Sequence, residues 1–174
     1  MQAIPDLHTI LAPIPWVLVG GIALRAYIPE RMTQDVDILV HERDAVQVQA
    51  KFIRAGYQLT GLLSIGDFSM ELPQQKSPPI DVLVRVDSWL DSALNAPSHD
   101  EAGYPVLARP YLLLLKLQAG RTQDLADIQR LLAYRSSNER DTMRQLIEQE
   151  SPELVEDFDA LCVLADLEFG HPKE

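Results

Sequence analysis

Asp35 and Asp37 stand one residue apart within an apolar run of Val36, Ile38, Leu39 and Val40. Along a strand, side chains alternate between faces. Asp35 and Asp37 are therefore expected on one face, and Val36, Ile38 and Val40 in a core on the other. Two carboxylates on one face repel each other unless a cation sits between them. A divalent metal is the usual solution, and hard oxygen donors favour Mg²⁺. Upstream, Trp16-Val17-Leu18-Val19 reads as an apolar strand, and Gly20-Gly21 as a turn opening a short helix that Pro29 stops.

This order of strand, Gly-Gly, helix and Asp-x-Asp strand resembles the polymerase-β-like nucleotidyltransferases. The matching residues are Val19-Gly20-Gly21, a gap of 13, then Asp35-Val36-Asp37-Ile38. That family carries a third carboxylate on a later strand. Asp81, the lone charge in Ile80-Asp81-Val82-Leu83-Val84, takes that position here. The resemblance implies an α+β nucleotidyltransferase fold, with a small mixed β-sheet flanked by helices and a C-terminal helical segment. It also implies that Asp35, Asp37 and Asp81 hold Mg²⁺ bridging a nucleoside triphosphate. Asp81 would bind metal or act as base toward an acceptor hydroxyl. The implied activity moves a nucleoside monophosphate from an NTP to an RNA end, a protein or a small molecule such as an aminoglycoside.

The chemistry suits these residue types. Nucleotidyl transfer asks for positioning and for neutralisation of phosphate charge, often by two metals about 3.5–4 Å apart. Gly20 and Gly21 lack side chains, so backbone can approach a phosphate closely. The helix expected at Ile22–Tyr27 offers free N–H groups and a positive dipole end. Arg25, Arg31 and Thr33 lie near enough in sequence to join Gly20 and Gly21 on the nucleotide.

A second segment runs Leu115-Lys116-Leu117-Gln118-Ala119-Gly120-Arg121-Thr122-Gln123-Asp124-Leu125-Ala126-Asp127. It is similar to the Lys…Arg-x-x-Asp-x-x-Asp element of bacterial abortive-infection (AbiEii-type) nucleotidyltransferases, whose members act as toxins in two-gene toxin–antitoxin pairs. The resemblance implies that Lys116 contacts phosphate, that Asp124 activates or orients the acceptor, and that Asp127 holds the helix through hydrogen bonds. It also implies a cognate partner protein. Gln123 stands where a basic residue is common, and the toxins carry a larger C-terminal helical domain. The resembling segments, 14–41, 79–86 and 109–132, cover about a third of the chain.

The elements that must position these residues divide into a core at 1–108 and a helical bundle at 109–174 packed on it. In the first part, helices are expected at 5–11, 43–55 and 88–94, with Val46, Val48, Phe52 and Ile53 sharing a face of the second. Strands are expected at 57–63, 67–72, 80–84 and 104–108, and 73–79 and 96–103 read as loops. In the second part, Pro110 opens a helix that Gly120 ends, apolar nearly all round and therefore buried. Lys116 is its only charge, and it either snorkels to the surface or serves the site. Thr122 caps the next helix, whose stripe is Leu125, Ile128 and Leu132. Asp124 near its start either favours the dipole or serves the site. Ser136-x-x-Glu139 forms a capping box, and Ser151-Pro152 starts a last helix with Leu154, Phe158, Leu161 and Ala165 inward.

The chain has 174 residues, 47% of them apolar, and one cysteine. It can bury a real core, and it has neither an internal disulfide nor a cysteine-based metal site. Cys162, among Leu161, Val163 and Leu164, reads as a buried structural thiol. No run of 18 apolar residues exists, so no membrane association is expected and the expected setting is cytoplasmic. The net charge is −11, of which −8 falls in residues 137–174. That distribution argues against a broad nucleic-acid surface, and the acidic tail reads as a solvated helical face. Two alternatives to catalysis remain open. One is a non-catalytic nucleotide-binding or antitoxin-like module on the same fold; the other is an interaction protein with structural carboxylates.

Overall fold

A computed structural model describes residues 4–29, 35–63, 66–73 and 77–170. Arg31 and Thr33 lie outside these described residues, as do Ser64 and Ile65 between the strands expected at 57–63 and 67–72. The chain forms two compact units, Met1–Leu107 and Ala108–Glu174.

The first unit runs α1 (Leu7–Leu11), β1 (Val17–Leu18), α2 (Gly20–Ala23), β2 (Val36–His41), α3 (Ala45–Arg54), β3 (Gln58–Leu62), β4 (Phe68–Glu71), β5 (Ile80–Arg85), α4 (Leu90–Asn95), β6 (Ser98–His99) and β7 (Pro105–Val106). Its strands build one sheet in the order β3-β4-β5-β2-β1-β7-β6. The β2–β5 and β1–β7 pairs are parallel and the others antiparallel, so the sheet is mixed as expected. The β2–β5 pair is its spine, with six residue pairs from Val36↔Ile80 to His41↔Arg85. Val36, Ile38 and Val40 on β2, with Ile80, Val82 and Val84 on β5, form the buried face that alternation demands. Val48 and Phe52 of α3 and Leu7 and Leu11 of α1 are also fully buried.

Several local expectations change. Val46 and Ile53 are exposed, so α3 buries only the narrower Val48–Phe52 stripe. A two-residue strand, β6, lies within the expected 96–103 loop and pairs antiparallel with β7. The helix expected at 22–27 starts earlier, at Gly20, and holds a single α-turn before a 3₁₀ turn at Leu24–Ala26. Four residues align few peptide dipoles, so the anion-attracting helix end is weaker than expected.

The second unit holds α5 (Arg109–Ala119), α6 (Thr122–Leu132), α7 (Ser137–Glu150) and α8 (Val155–Phe169). Gly120 closes α5 at φ 62°, the left-handed conformation glycine tolerates best. Thr122 is inside α6 rather than capping it; the cap position is Arg121, with no side-chain cap bond. Leu125 is only half-buried. The buried face of α6 is Asp124, Asp127, Ile128, Leu131 and Leu132. Ser136 and Glu139 do form the capping box of α7. A 3₁₀ turn at Pro152–Leu154 leads into α8, which buries Phe158, Leu161 and Ala165. Cys162 is half-buried, and Val163 and Leu164 face solvent.

Among the described residues, no helix is long and apolar enough to cross a membrane.

Candidate functional site

Asp37 and Asp81 are direct partners in the β2–β5 ladder. Paired residues on parallel neighbours point to the same face, with strands about 4.8 Å apart. Both side chains are half-buried, on the face opposite the Val36–Ile80 layer. Asp81 is also paired with Ser69 across β4, and Ser69 is buried. Asp35 is exposed and lies in a bend just ahead of β2, whose ladder opens with Val36 N–H donating to Pro79 O at 3.0 Å. The alternation argument therefore holds for Asp37 and stops short of Asp35. Among the described residues, no group of three His, Cys, Asp or Glu side chains is arranged to hold a metal ion.

Gly20 sits against this pair. Its φ is +64°, and a Cβ added there would overlap Asp37 Oδ2 and Cγ. Two demands thus select glycine at position 20: a left-handed backbone and space for a carboxylate. The strand–turn–strand sequence creates this contact, because Val19 N–H donates to Asp37 O at 3.0 Å and brings the turn alongside β2. Gly21 follows in the first turn of α2.

Arg25 is committed elsewhere in the same unit. Its Nε donates to Asp100 Oδ2 at 2.8 Å, and a second guanidinium nitrogen also meets that oxygen. Asp100 Oδ1 accepts from Ala102 N–H at 3.0 Å and Tyr104 N–H at 2.9 Å. The Arg25 guanidinium carbon lies 6.0 Å from the centre of the Tyr104 ring, which stacks on His8. Asp100 was not among the sequence candidates. Its signal was the turn pattern Asp100-x-x-Gly103, which shows a self-bonding aspartate but not its arginine. A cleft of about 670 Å³ opens here, lined by Arg25, Tyr27, Ile28, Pro29, Asp100, Glu101 and Ala102. Its size falls within the usual range for small-molecule sites.

In the second unit, Lys116 does not snorkel. It is 4% exposed and donates to Asp124 Oδ1 at 2.9 Å and Asp127 Oδ2 at 2.8 Å. Arg121 Nε donates to the other Asp124 oxygen at 2.6 Å. Burial pushes the Asp124 carboxyl up, but hydrogen bonds from Arg121 and Lys116 outweigh it. The carboxyl is held below its ordinary range. The structure therefore joins Lys116, Asp124 and Asp127 in one buried network; within the first unit it joins Gly20, Asp37 and Asp81.

No family model matches the sequence, and no curated protein matches it. Solved structures do resemble the fold. The lincomycin-bound lincosamide antibiotic adenylyltransferase LnuA superposes with a TM-score of 0.51 at 15% identity, over 75% of this chain and 96% of that one. The antibiotic-resistance factor ANT(2'')-Ia superposes with a TM-score of 0.50 at 18% identity, over 93% of this chain and 92% of that one. The same protein in complex with adenylyl-2''-tobramycin gives 0.50 at 15% identity, over 94% and 96%. At these identities the likeness shows the fold: a nucleotidyltransferase fold, as the sequence motifs implied.

Proposed function

We propose that this chain transfers a nucleoside monophosphate from a nucleoside triphosphate to an acceptor hydroxyl, with Mg²⁺ held by Asp35, Asp37 and Asp81. The observation that carries the reading is the Asp37↔Asp81 register beside a glycine whose missing side chain makes room for Asp37, on a fold resembling that of antibiotic nucleotidyltransferases. The donor type suits the metal, since carboxylate oxygens are the hard ligands magnesium takes; of the three, Asp37 and Asp81 stand on neighbouring strands and Asp35 in the bend ahead of β2. When bound, magnesium would neutralise triphosphate charge and favour departure of pyrophosphate.

The protein's own residues do the rest. Gly20 and Gly21 let backbone approach the phosphates without a side chain in the way. The acceptor oxygen forms a bond to the α-phosphorus, the bond to the bridging oxygen breaks, and pyrophosphate leaves. Asp81 takes the hydroxyl proton or completes the metal set. For Lys116 and Asp124 the sequence resemblance implies a phosphate contact and an acceptor role; inside the helical unit Lys116 is bonded to both Asp124 and Asp127, so a phosphate contact requires exchanging one of those bonds.

A small-molecule hydroxyl is the favoured acceptor. LnuA is a lincosamide antibiotic adenylyltransferase, ANT(2'')-Ia is seen with adenylyl-2''-tobramycin, and the cleft at Arg25 and Asp100 is within the usual size range of small-molecule sites. An RNA end, with a toxin role in a two-gene pair, is the finer alternative. A non-catalytic nucleotide-binding module is the second reading, favoured by the absence, among the described residues, of three side chains arranged around a metal.

The test is thermal shift with each NTP, with and without Mg²⁺, on the native chain and on Asp35→Ala/Asp37→Ala, followed by label transfer from the stabilising α-labelled NTP to aminoglycosides, lincosamides and tRNA. A Mg²⁺-dependent rise in Tm with one NTP, lost in the double variant, supports the site, because only a ligand bound to the native state stabilises it. Label transfer then supports catalysis and names the acceptor. Stabilisation without transfer favours the binding module, and no shift at millimolar NTP overturns both readings.

A further inference from the structure

The outer face of α8 is apolar, and among the described residues nothing covers it. Val163, Leu164 and Leu167 are 59%, 46% and 79% exposed, and Ala160 is exposed beside them. Positions 160, 163, 164 and 167 follow the i, i+3, i+4, i+7 spacing of one helical stripe. The inward face is separate, formed by Phe158, Leu161 and Ala165. α8 thus has two apolar faces, and only one is used inside the second unit. Isolated exposed leucines need no explanation, whereas a continuous ridge framed by charge marks an interaction surface.

The frame is acidic on both sides. α8 carries Glu156, Asp157, Asp159, Asp166 and Glu168 and no lysine or arginine. On one flank α7 already supplies the counter-charges: Arg144 pairs with Asp159 and Arg140 with Asp166. On the other, Asp157 and Glu168 have no ion pair among the described residues, and Glu156, four residues before Ala160, continues the line of the ridge at its N-terminal end. That sign selects the occupant. A second copy of α8 would bring like charge against like. An anionic membrane or a nucleic acid would be repelled in the same way.

We infer that the α8 outer face docks an amphipathic helical segment of a partner protein, with an apolar ridge flanked by lysine or arginine. The ridge from Ala160 to Leu167 is about 10 Å long at 1.5 Å per residue, which two turns of a partner helix cover. The partner's leucines bury against Val163, Leu164 and Leu167, and its cations meet Asp157 and Glu168. Docking of a helix into an apolar surface with charged edges is a recurring recognition mode.

The test uses the full chain and a labelled synthetic helix with Leu at i, i+3, i+4 and i+7 and Lys on its flanks, compared with the same helix carrying Glu. Fluorescence anisotropy is expected to show the Lys helix binding at least tenfold tighter than the Glu helix. Leu164→Ser/Leu167→Ser, two surface changes whose folding circular dichroism can verify, should weaken it at least tenfold. Asp157→Lys/Glu168→Lys should reverse the preference toward the Glu helix. Failure of the Lys helix to bind overturns the inference. So does unchanged affinity in Leu164→Ser/Leu167→Ser, which would mark diffuse charge attraction. Sedimentation showing a dimer of the native chain that this variant abolishes would overturn it in favour of self-association.

Discussion

Gly20 and Asp37 interlock: the space a side chain would need at Gly20 is filled by the Asp37 carboxylate, across a backbone held at φ +64°. The first aspartate after the gap, Asp35, is not the one in contact. This gives the Gly-Gly element a structural duty toward the carboxylate as well as an open approach for phosphate.

Gly20→Ala is expected to destabilise the chain. The left-handed conformation alone costs a non-glycine residue roughly 1–2 kcal/mol, and the overlap with Asp37 adds to it. Urea denaturation measures the loss. In an Asp37→Ala background the overlap with Oδ2 and Cγ disappears and the conformational part stays, so the cost should shrink without vanishing. An equal cost in both backgrounds would show that the contact carries no energy.

Lys116 lies between two carboxylates that are themselves buried, Asp124 and Asp127. Lys116→Met keeps the length of the stem and deletes the charge. Breaking a buried pair from one side typically costs about 3–5 kcal/mol, because an uncompensated charge remains. Replacing all three residues, as Lys116→Met with Asp124→Asn and Asp127→Asn, should recover part of that loss. A single Lys116→Met variant with native stability would mean that water or rearrangement repairs the network.

Asp124 sets a sign for acid stability. Its carboxyl is held low in the folded state by Arg121 and Lys116 against the opposing push of burial. A depressed folded pKa contributes stability that is present above the unfolded value, about 3.9, and is lost as pH falls through the folded value. The native chain should therefore lose stability steeply below about pH 4, and Asp124→Asn should flatten that limb while lowering the plateau above it. Denaturation midpoints across pH 3 to 6 test this; parallel curves for the two proteins would refute it.

What was legible in the sequence was local. The Gly-Gly turn, the alternating β2 and β5 residues, Gly120 and the Ser136–Glu139 box each follow from neighbours a few positions apart, and each appears in the structure. What escaped needed partners distant along the chain. Arg25 is bonded to Asp100, 75 residues on, a partner that no local pattern reveals. Leu125 looks like the inward residue of α6 until Lys116 on α5 draws Asp124 and Asp127 inward in its place. In α8 the pattern reads Phe158, Leu161 and Ala165 as inward, and they are buried; what it does not show is the second apolar stripe, Val163 to Leu167, left exposed. The residues proposed for metal depend on where β2 begins, and the one-residue difference between Asp35 and Val36 is below what pattern resolves.

Cys162 supplies a probe of the α7–α8 contact. Burial raises its thiol to about 11, partly offset by the positive charge of Arg140 and reinforced by Asp159 and Asp166. The thiolate is the reactive form, and at pH 8 about one thiol in a thousand would be ionised at that pKa, against about one in four for a free cysteine near 8.5. Iodoacetamide at pH 8 should therefore modify the folded chain at least about a hundredfold more slowly than free cysteine, and urea should restore the ordinary rate. Arg140→Gln removes the only cation among those influences, which raises the thiol further, yet it also removes the Arg140–Asp166 pair and loosens α7 from α8. The two effects oppose each other. Slower alkylation in that variant would show that electrostatics controls the thiol, and faster alkylation that local opening does.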